Sequence, residues 1–464
     1  MSAATVPPQI FREYDIRGLV DSEFTPDVAA TIARAYALYL HKRGAAGTVI
    51  VGRDNRLSSP AIRDAVVGAL SKVGLSVWDL GVVITPTFYF ARVDAGFDAG
   101  GVMITASHNP PEYNGMKLAT GPGTLYGEEI QKVRRLAGRS VPPLGFGSEV
   151  SDHTIVVDEY LEMLRTKIVL GPRRLRVAVD CGNGTASLVA PDAVEAWGCE
   201  TLRQHCDSDP TFPHHHPDPV KEENVRDLVE LVRRERCDLG IGFDGDGDRI
   251  GVVDDQGTII WGDTLMALFW REILPRYPGS PAIVEVKCSQ ALVEEVERLG
   301  GRPLFYRTGH SLIKAKMREL GAVFTGEMSG HMFFADEYFG YDDAVYAAGR
   351  LLRILSQTDR SLSELLASIP RYPITPEVRV DAPDEVKFDV VRRLTEEFKR
   401  RYEVIDVDGA RVLFPGGWGL IRASNTQPAL VLRAEARDAV TLDSITREIE
   451  LALAQFPMVG RPEW

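Results

Sequence analysis

The sequence predicts an α/β protein of several domains, and three observations carry that prediction. The chain has 464 residues, too many for one ordinary hydrophobic core. Up to about residue 370, apolar strand patterns alternate with helical patterns in three similar sets of roughly 110 residues each. Beyond that point, closely spaced strands lie between two helical patterns. We therefore expect three related mixed α/β domains followed by a C-terminal α+β domain.

Loops rich in proline and glycine indicate where these domains meet. The segment SVPPLGFGSEV predicts a boundary near residue 150. A second boundary is predicted near residue 370, where RYPITPEV precedes the change from alternating strands and helices to closely spaced strands. The predicted domains are 1–150, 151–256, 257–370 and 371–464. Ligands of such folds bind in clefts at the carboxyl ends of strands, so the loops that follow strands are the places to look for chemistry.

Charge and cysteine usage exclude some classes of protein. Acidic residues number 66 against 53 basic ones, and a net charge of −13 repels nucleic acid. Five scattered cysteines without a CxxC pair indicate a reducing compartment instead of a disulfide framework. The start shows no signal-peptide pattern, and no later stretch approaches about 18 apolar residues. We expect a cytoplasmic protein without a nucleic-acid or membrane partner.

The loop TASHNP places a serine after an apolar strand, where we expect its hydroxyl to be exposed. Ser107 is followed by His108 and Asn109, and Lys117 comes shortly afterwards. These side chains can all donate to an anion bound at the hydroxyl. A serine and asparagine turn without chemistry explains this loop alone equally well.

The loop DGDGDR carries three carboxylates separated by glycines. Asp244, Asp246 and Asp248 can converge on one point because the glycines let the backbone fold tightly. An all-oxygen ligand set on a short loop suits Mg²⁺. A calcium loop of the EF-hand type is excluded by spacing, since Arg249 and Asp255 stand where glycine and glutamate are required.

Two later loops offer groups for a sugar phosphate. In GEMSGH, Glu327, Ser329 and His331 alternate, and in an extended loop they share one face that suits sugar hydroxyls. The segment RASNTQP offers phosphate-binding groups, namely Arg422, Ser424, Asn425 and Thr426. A polar turn is the alternative interpretation of each loop.

Seven segments in one order resemble the α-D-phosphohexomutase family, and most closely its bacterial phosphomannomutase/phosphoglucomutase branch. They are FREYDIRG, TASHNP, VDCGNG, HHPDP, DGDGDR, GEMSGH and RASNTQP, spread from residue 11 to residue 428. The resemblance implies four domains around a central cleft, in agreement with the pattern of elements. Gln427 departs from the threonine or glutamate usual in the family at that position.

The resemblance also implies roles for individual residues. Ser107 would be the phosphorylated serine, and one Mg²⁺ per chain would contact it together with Asp244, Asp246 and Asp248. The catalytic set would comprise Ser107, Lys117, His310 and Arg17, with Lys117 and His310 as candidate general bases. The substrate-binding set would comprise Tyr14, His108, Arg249, Lys287, Glu327, Ser329, His331, Arg422, Ser424, Asn425 and Thr426.

The implied reaction is reversible phosphoryl transfer between O1 and O6 of mannose and glucose phosphates, through a phosphoserine and a 1,6-bisphosphate. Glucose or mannose 1,6-bisphosphate would be the activator, hexose phosphates the partners, and the protein a monomer or homodimer. The nearest alternative is a phosphoglucosamine mutase, whose loops usually read GEQSGH and RPSGTEP. A non-catalytic sugar-phosphate-binding regulator is disfavoured by the intact serine and aspartate loops.

Two further features suggest chemistry that we disfavour. The run from His214 to His216 resembles a zinc ligand set, but three consecutive histidines cannot all face one ion, so a structural role is favoured. Cys181 in VDCGNG has no evident acid–base partner in the sequence and is interpreted as a small buried residue.

Overall fold

The computed structural model describes residues 5–45, 47–424 and 427–464. Close contacts divide the chain into two compact units. The first comprises Met1–Gly262 and Ser329–Leu365, and the second comprises Asp263–Met328 and Leu366–Trp464. The first unit thus contains the first two predicted domains, the predicted third domain is divided between the units, and the predicted fourth lies in the second unit. The four-domain division stays a prediction.

The first unit opens with a helix-covered sheet. Its elements are β1 (Ile16–Leu19), α1 (Pro26–Lys42), β2 (Thr48–Arg53), α2 (Ser59–Lys72), β3 (Ser76–Val82), α3 (Thr85–Asp94), β4 (Gly100–Ile104), β5 (Tyr113–Thr120), β6 (Gly123–Thr124), α4 (Glu128–Leu136) and β7 (Val150–Asp152). Local signals explain the longest helix: Thr25 caps α1 by accepting from the Val28 N–H, and Pro26 occupies its first position.

A second sheet of the same unit follows. Its elements are α5 (Val156–Lys167), β8 (Arg176–Asp180), α6 (Ala190–Ala196), β9 (Glu200–Gln204), α7 (Arg226–Glu235), β10 (Leu239–Phe243), β11 (Ile250–Asp254) and β12 (Ile259–Ile260). All five residues of β10 and all five of β11 are buried. A strand buried on both faces reads as a continuous apolar run, as DLGIGF does in the sequence.

The third set of elements belongs mostly to the second unit. It comprises α8 (Gly262–Ile273), β13 (Pro281–Glu285), α9 (Gln290–Arg298), β14 (Arg302–Tyr306), α10 (His310–Leu320) and β15 (Phe324–Gly326). The chain then contributes β16 (Met332–Phe334) and α11 (Ala344–Ser356) to the first unit, and α12 (Leu362–Leu366) spans the boundary.

The three sets share one strand order, which confirms that they are related. In each, the first parallel strand lies in the centre, giving β3-β2-β4, β9-β8-β10 and β14-β13-β15. In the first two sheets an antiparallel strand then adds beside the third strand, β5 beside β4 and β11 beside β10. Loops that leave β2 and β4, or β8 and β10, therefore meet at one edge of their sheet.

The C-terminal part is α+β, as predicted. Its elements are β17 (Val378–Asp381), α13 (Lys387–Phe398), β18 (Glu403–Ile405), β19 (Ala410–Phe414), β20 (Gly417–Ala423), β21 (Ala429–Ala436) and α14 (Ala439–Leu453). The strands form an antiparallel sheet in the order β17-β21-β20-β19-β18. Its core joins strand residues such as Val412 and Leu432 to Leu394 of α13 and Ile449 of α14. Among the described residues, no helix is both long and apolar enough to cross a membrane.

Candidate active site

The serine loop follows β4 at the carboxyl edge of the first sheet. The expectation of an exposed serine is wrong: Ser107 is buried, because the aspartate loop packs against it, and it adopts a left-handed backbone conformation with φ of 51°. Its Oγ donates to Asp244 Oδ2 over 2.7 Å and lies 3.1 Å from Nδ1 of His108. Its own N–H donates to Thr105 Oγ1. Because a non-glycine residue in this conformation is strained, the surrounding contacts must hold it in place.

Arg56, at the end of the loop after β2, provides those contacts. Its guanidinium is fully buried and donates to the backbone carbonyls of Ser107 and Asn109 over 2.8 and 2.7 Å. It also donates to the carbonyls of Pro110 and Tyr113, and its Nε pairs with Asp54 over 3.0 Å. A planar guanidinium with five N–H donors is the side chain best able to gather several carbonyls at once. Arg56 thus holds the backbone of the serine loop in its conformation.

Replacing Arg56 with lysine tests this role. An ammonium group cannot reach four carbonyls, so buried acceptors lose their partners, and we expect a stability loss of about 3 kcal/mol together with a lower kcat. The measurements are thermal unfolding and steady-state kinetics. The control is Arg63→Lys on α2, whose side chain is 27% exposed beside Asp79 and whose loss should cost less than about 1 kcal/mol. Equal effects of the two substitutions would contradict the role of Arg56.

The aspartate loop follows β10 and touches the serine loop. A Cβ built on Gly245 would stand 2.4 Å from the carbonyl oxygen of Ser107, so that approach requires glycine. Gly247 has φ of 74°, which turns the chain back between Asp246 and Asp248. Asp244 Oδ1 accepts from the N–H groups of Asp248 and Arg249 over 3.0 and 3.1 Å. The loop therefore folds around its first carboxylate.

Lys117, on β5, contacts two of these three carboxylates. Its Nζ lies 2.8 Å from Asp246 Oδ2 and 2.5 Å from Asp248 Oδ2, and all three side chains are almost fully buried. Burial alone would lower the pKa of Lys117, but the charges of Asp246 and Asp248 raise it well above its usual value. Burial would likewise raise the pKa of Asp246, but the Lys117 ammonium lowers it. The ammonium thus offsets part of the charge of this loop.

The donor set fits a hard divalent cation. One oxygen each from Asp244, Asp246 and Asp248 lie within 4.8 Å of one another, and all three residues are buried. Asp246 Oδ1 and Asp248 Oδ1 are buried without a hydrogen-bond partner among the described residues. Burial and the neighbouring charges of Asp248 and Asp246 raise the pKa of Asp244 well above its usual range. Uncompensated oxygens in a buried acidic cluster are what a bound cation would satisfy.

A second layer of polar groups adjoins these carboxylates in the first unit. Arg249 Nε donates to His331 Nε2 over 2.9 Å. His331 Nδ1 lies 3.1 Å from Asp342 Oδ2 and 3.6 Å from Asp248 Oδ1. Ser329 belongs to the same unit, two residues before His331. The imidazole therefore links the arginine of DGDGDR to the acidic pair formed by Asp248 and Asp342.

The N-terminal motif contributes Arg17 from β1. The guanidinium of Arg17 donates to Asn109 of the serine loop and to Asp15. Tyr14 is half-buried in the same segment. His108 is enclosed, and burial together with the charges of Arg249 and Arg17 lowers its pKa well below the usual value. His108 is thus a neutral imidazole beside the serine hydroxyl.

Other predicted site residues lie in the second unit, where they follow the carboxyl ends of its strands. Glu327 follows β15 and is buried, and its Oε1 accepts from the Gly309 N–H over 2.7 Å. His310 is the first residue of α10, after Gly309 as its N-cap, and is also buried. Thr308 Oγ1 donates to Glu285 Oε1 over 2.6 Å. The turn that begins α10 is thereby anchored on two carboxylates from two strand ends.

Lys287 and Glu377 form a partly buried ion pair in this unit. Lys287 Nζ lies 3.2 Å from Glu377 Oε2. Burial would lower the pKa of Lys287, but the charges of Glu285 and Glu377 raise it. The charge of Lys287 lowers the pKa of Glu377 from 4.5 to about 2. A strongly paired lysine at a strand end is well placed for an anionic ligand.

This pair predicts how acid affects stability. Since the folded protein lowers the pKa of Glu377, its stabilisation is complete above pH 4.5 and disappears as the pH falls towards 2. We expect Glu377→Gln to reduce stability by about 3 kcal/mol at pH 7, and this difference to shrink steadily from pH 4.5 downwards. Thermal unfolding of both proteins across that range measures it, with the exposed Glu385→Gln as control. A difference independent of pH would contradict the prediction.

The predicted phosphate loop follows β20 in the antiparallel sheet. Arg422 Nη2 lies 3.1 Å from Asp408 Oδ2, which also accepts from the Thr308 N–H. Ser424 is buried and its Oγ accepts from the Gln427 N–H over 3.2 Å. Asn425 and Thr426 lie outside the described residues. The arginine and the serine therefore stand at one turn at the end of β20.

Sequence reasoning missed several buried or half-buried partners of these residues. They are Asp54, Arg56, Thr85, Glu285, Asp342, Glu377 and Asp408. For Asp54 and Arg56 a signal existed, because GRDNR follows the apolar strand TVIV just as TASHNP follows VMI. For the others no local pattern separates a site residue from an ordinary polar residue.

The fold and the site define a class of protein, and comparison with known families agrees. Models of the phosphoglucomutase/phosphomannomutase family match in consecutive order: α/β/α domain I over residues 8–139, domain II over 158–257, domain III over 261–372 and the C-terminal domain over 377–452. The chain therefore belongs to the phosphoglucomutase/phosphomannomutase family of α-D-phosphohexomutases, as the motifs predicted.

Individual relatives match nearly the whole chain. Phosphomannomutase/phosphoglucomutase of Pseudomonas aeruginosa is 43% identical over 96% of this chain and 95% of its own length. Phosphoglucomutase of Neisseria gonorrhoeae is 39% identical over 98% of both chains. The crystal structure of a phosphoglucomutase/phosphomannomutase family protein from Burkholderia thailandensis superposes with a TM-score of 0.92, at 38% identity and with 99% and 100% of the two chains covered.

Proposed function

We propose that this protein interconverts the 1-phosphates and 6-phosphates of mannose and glucose by reversible phosphoryl transfer through Ser107. One observation carries the proposal: Ser107 Oγ lies 2.7 Å from Asp244 within a buried cluster of three carboxylates, with the Lys117 ammonium against two of them. A hydroxyl beside a cation site and a fixed ammonium has the surroundings that phosphoryl transfer requires.

In the forward step the phosphoryl group moves from Ser107 Oγ to the free hydroxyl of a bound hexose monophosphate. The bond between phosphorus and the serine oxygen breaks, a bond to the sugar oxygen forms, and a general base accepts the hydroxyl proton. The resulting 1,6-bisphosphate turns over and returns its other phosphoryl group to Ser107. One fixed oxygen can then serve both ends of the sugar.

Asp244, Asp246 and Asp248 would hold Mg²⁺ together with an oxygen at Ser107. When bound, Mg²⁺ neutralises charge on the transferring group. Lys117 supplies a second positive charge at this loop, and Arg56 keeps the serine in its strained conformation. Arg17, donating to Asn109, places a third cation beside the serine loop.

The residues of the second unit would bind the rest of the substrate. Glu327, whose carboxylate is oriented by the Gly309 N–H, and Ser329 of the first unit are assigned to sugar hydroxyls, with His331 beside them. Arg422 and Ser424, with Asn425 and Thr426, are assigned to the phosphate that is not transferred. Lys287, Tyr14, His108 and Arg249 complete the proposed substrate-binding set.

Lys117 and His310 are the candidates for the general base. Lys117 is engaged by two carboxylates, a setting that favours its charged form and suits it to stabilise charge. We therefore assign the proton transfer to His310. A His310→Gln variant should then lower kcat by about 10²-fold to 10⁴-fold without lowering the melting temperature, as expected for loss of a general base.

A coupled assay tests the proposed function. The protein, supplied with Mg²⁺ and a catalytic amount of glucose 1,6-bisphosphate as activator, should convert mannose 1-phosphate and glucose 1-phosphate to their 6-phosphates. Glucosamine 1-phosphate in the same assay is the comparison. Faster turnover of glucosamine 1-phosphate would favour the alternative, a phosphoglucosamine mutase, and binding without turnover of any of them would favour a regulator.

We further propose that the protein works in the cytoplasm as a monomer or a homodimer. The scattered cysteines are all free, as a reducing compartment would keep them. Cross-linking of the purified protein and sedimentation in solution decide between the two oligomeric states.

A further inference from the structure

Two imidazoles and two carboxylates form a polar cluster at the carboxyl edge of the second sheet. Asp180 ends β8, His205 follows β9 by one residue, and His215 comes from the histidine run that precedes Pro217. One ligand atom from each of the three lies within 4.8 Å of the other two. Three separate segments thus bring nitrogen and oxygen donors to one point.

The orientation of His215 leaves a lone pair facing a carboxylate. Its Nδ1 lies 2.9 Å from the backbone carbonyl of His216, which can only accept, so Nδ1 carries the proton. In the neutral ring Nε2 is then an acceptor, and it lies 3.2 Å from both carboxylate oxygens of Asp180. Acceptors facing each other at this distance require a cation between them, either a proton or a metal ion. A ring held by a backbone carbonyl is typical of metal-ligating histidine.

His205 adds a second imidazole and brings a fourth donor. Its Nε2 lies 3.1 Å from Asp227 Oδ2 on α7. The ring of His205 meets that of His215 edge to face, with centroids 5.3 Å apart. His214 stacks on His205 at 4.0 Å, but its Nδ1 lies 2.8 Å from Asn183 Oδ1. The stacking fixes the His205 ring while Asn183 orients His214.

The side chains of the cluster differ in solvent exposure, as expected for a site whose ion can exchange with solvent. Asp180 is buried and is oriented by the Gly182 N–H, which donates to its Oδ1 over 2.9 Å. The side chains of His205 and His215 are each 14% exposed, and that of Asp227 is 50% exposed. The buried carboxylate of Asp180 therefore lies at the base of the cluster, and the half-exposed carboxylate of Asp227 lies at its solvent side.

We propose that Asp180, His205 and His215, with Asp227 as fourth ligand, bind a divalent transition ion such as Zn²⁺. Two imidazole nitrogens and two carboxylate oxygens are a ligand set for a borderline ion, whereas the all-oxygen loop at Asp244 suits Mg²⁺. The sequence interpretation disfavoured zinc on the histidine run because consecutive histidines diverge. The proposed site agrees with that argument, because only His215 comes from the histidine run and the other ligands come from other segments.

Zinc retention by the full chain tests the site independently of catalysis. The protein is stripped with a chelator, equilibrated with excess Mg²⁺ to occupy the carboxylate loop, exposed to Zn²⁺ and passed through a desalting column. We expect one retained zinc per chain, and with Co²⁺ in place of zinc the intense visible absorption of a tetrahedral site. His205→Gln and His215→Gln should each lose the retained zinc. His41→Gln, on the exposed end of α1, should keep it.

Two results would overturn the proposal: no zinc retained by the wild-type chain, or full retention by a double His205→Gln, His215→Gln variant. In either case a proton joins His215 to Asp180 as an ion pair. If the histidine variants do not fold, Asp227→Asn replaces them, because its carboxylate is half exposed and we expect its loss to be tolerated by the fold. That variant should bind Zn²⁺ at least about 10-fold more weakly, and unchanged affinity would equally overturn the site.

Discussion

Replacing Ser107 with alanine should lower the turnover of glucose 1-phosphate by at least about 10³-fold, because it removes the oxygen to which we assign the phosphoryl group. The substitution removes the hydroxyl that donates to Asp244 over 2.7 Å. The methyl group fits where the hydroxyl was, so the strained loop and its Arg56 contacts should persist. The coupled assay with Mg²⁺ and glucose 1,6-bisphosphate measures the loss.

A second measurement separates loss of the nucleophile from loss of fold. Wild-type protein incubated with labelled glucose 1,6-bisphosphate should take up the label on the peptide that contains Ser107, and the alanine variant should take up none. The control is Ser140→Ala, an exposed serine in the loop before β7, which should leave both turnover and labelling unchanged. Undiminished turnover in the Ser107 variant would refute the assigned nucleophile.

The second large effect is expected for Asp246→Asn. Asp246 Oδ2 accepts from Lys117, Thr85 and Thr105, while its Oδ1 faces the carboxylate cluster without a hydrogen-bond partner among the described residues. An amide keeps the shape but removes the charge that pairs with Lys117 and that a cation would need. We expect kcat to fall by at least about 10²-fold and the Mg²⁺ concentration for half-maximal rate to rise.

The control for this variant is Asp158→Asn on the exposed face of α5. It changes the net charge equally, so an effect shared by both variants would be a general charge effect. Thermal unfolding provides a further readout, since Asp246→Asn leaves the buried Lys117 with one carboxylate partner and should lower the melting temperature. An Asp246→Asn protein with unchanged Mg²⁺ dependence would contradict the assignment of this loop to the metal.

Much of the fold could be predicted because its signals are local. Strands such as β4 and β10 are short apolar runs, and each is followed at once by the loop that carries chemistry. The repeat of strand and helix predicted three related sheets, and the closely spaced strands predicted the antiparallel one. The serine and aspartate loops were found for the same reason: Ser107 and Asp244 each stand directly after a strand of their own.

The partners of those residues could not be predicted, because no local pattern encodes them. Arg56 reaches carbonyls 51 and 53 positions away, and Lys117 pairs with carboxylates 129 and 131 positions away. Lys287 and Glu377 are separated by 90 positions. Even where a residue such as Lys117 was predicted for the site, its sequence context does not reveal which carboxylates it pairs with.

The sequence by itself determined which side chains are available for the proposed chemistry: a serine proposed for the phosphoryl group, an acidic loop proposed for a hard cation, and polar loops proposed for a sugar phosphate. Only the tertiary structure decided which charges meet, as when Asp180, His205 and His215 arrive at one edge from three segments. The physical reason is that parallel strands deliver distant loops to a common edge. There, burial makes each pairing of charges strong and each missing partner costly.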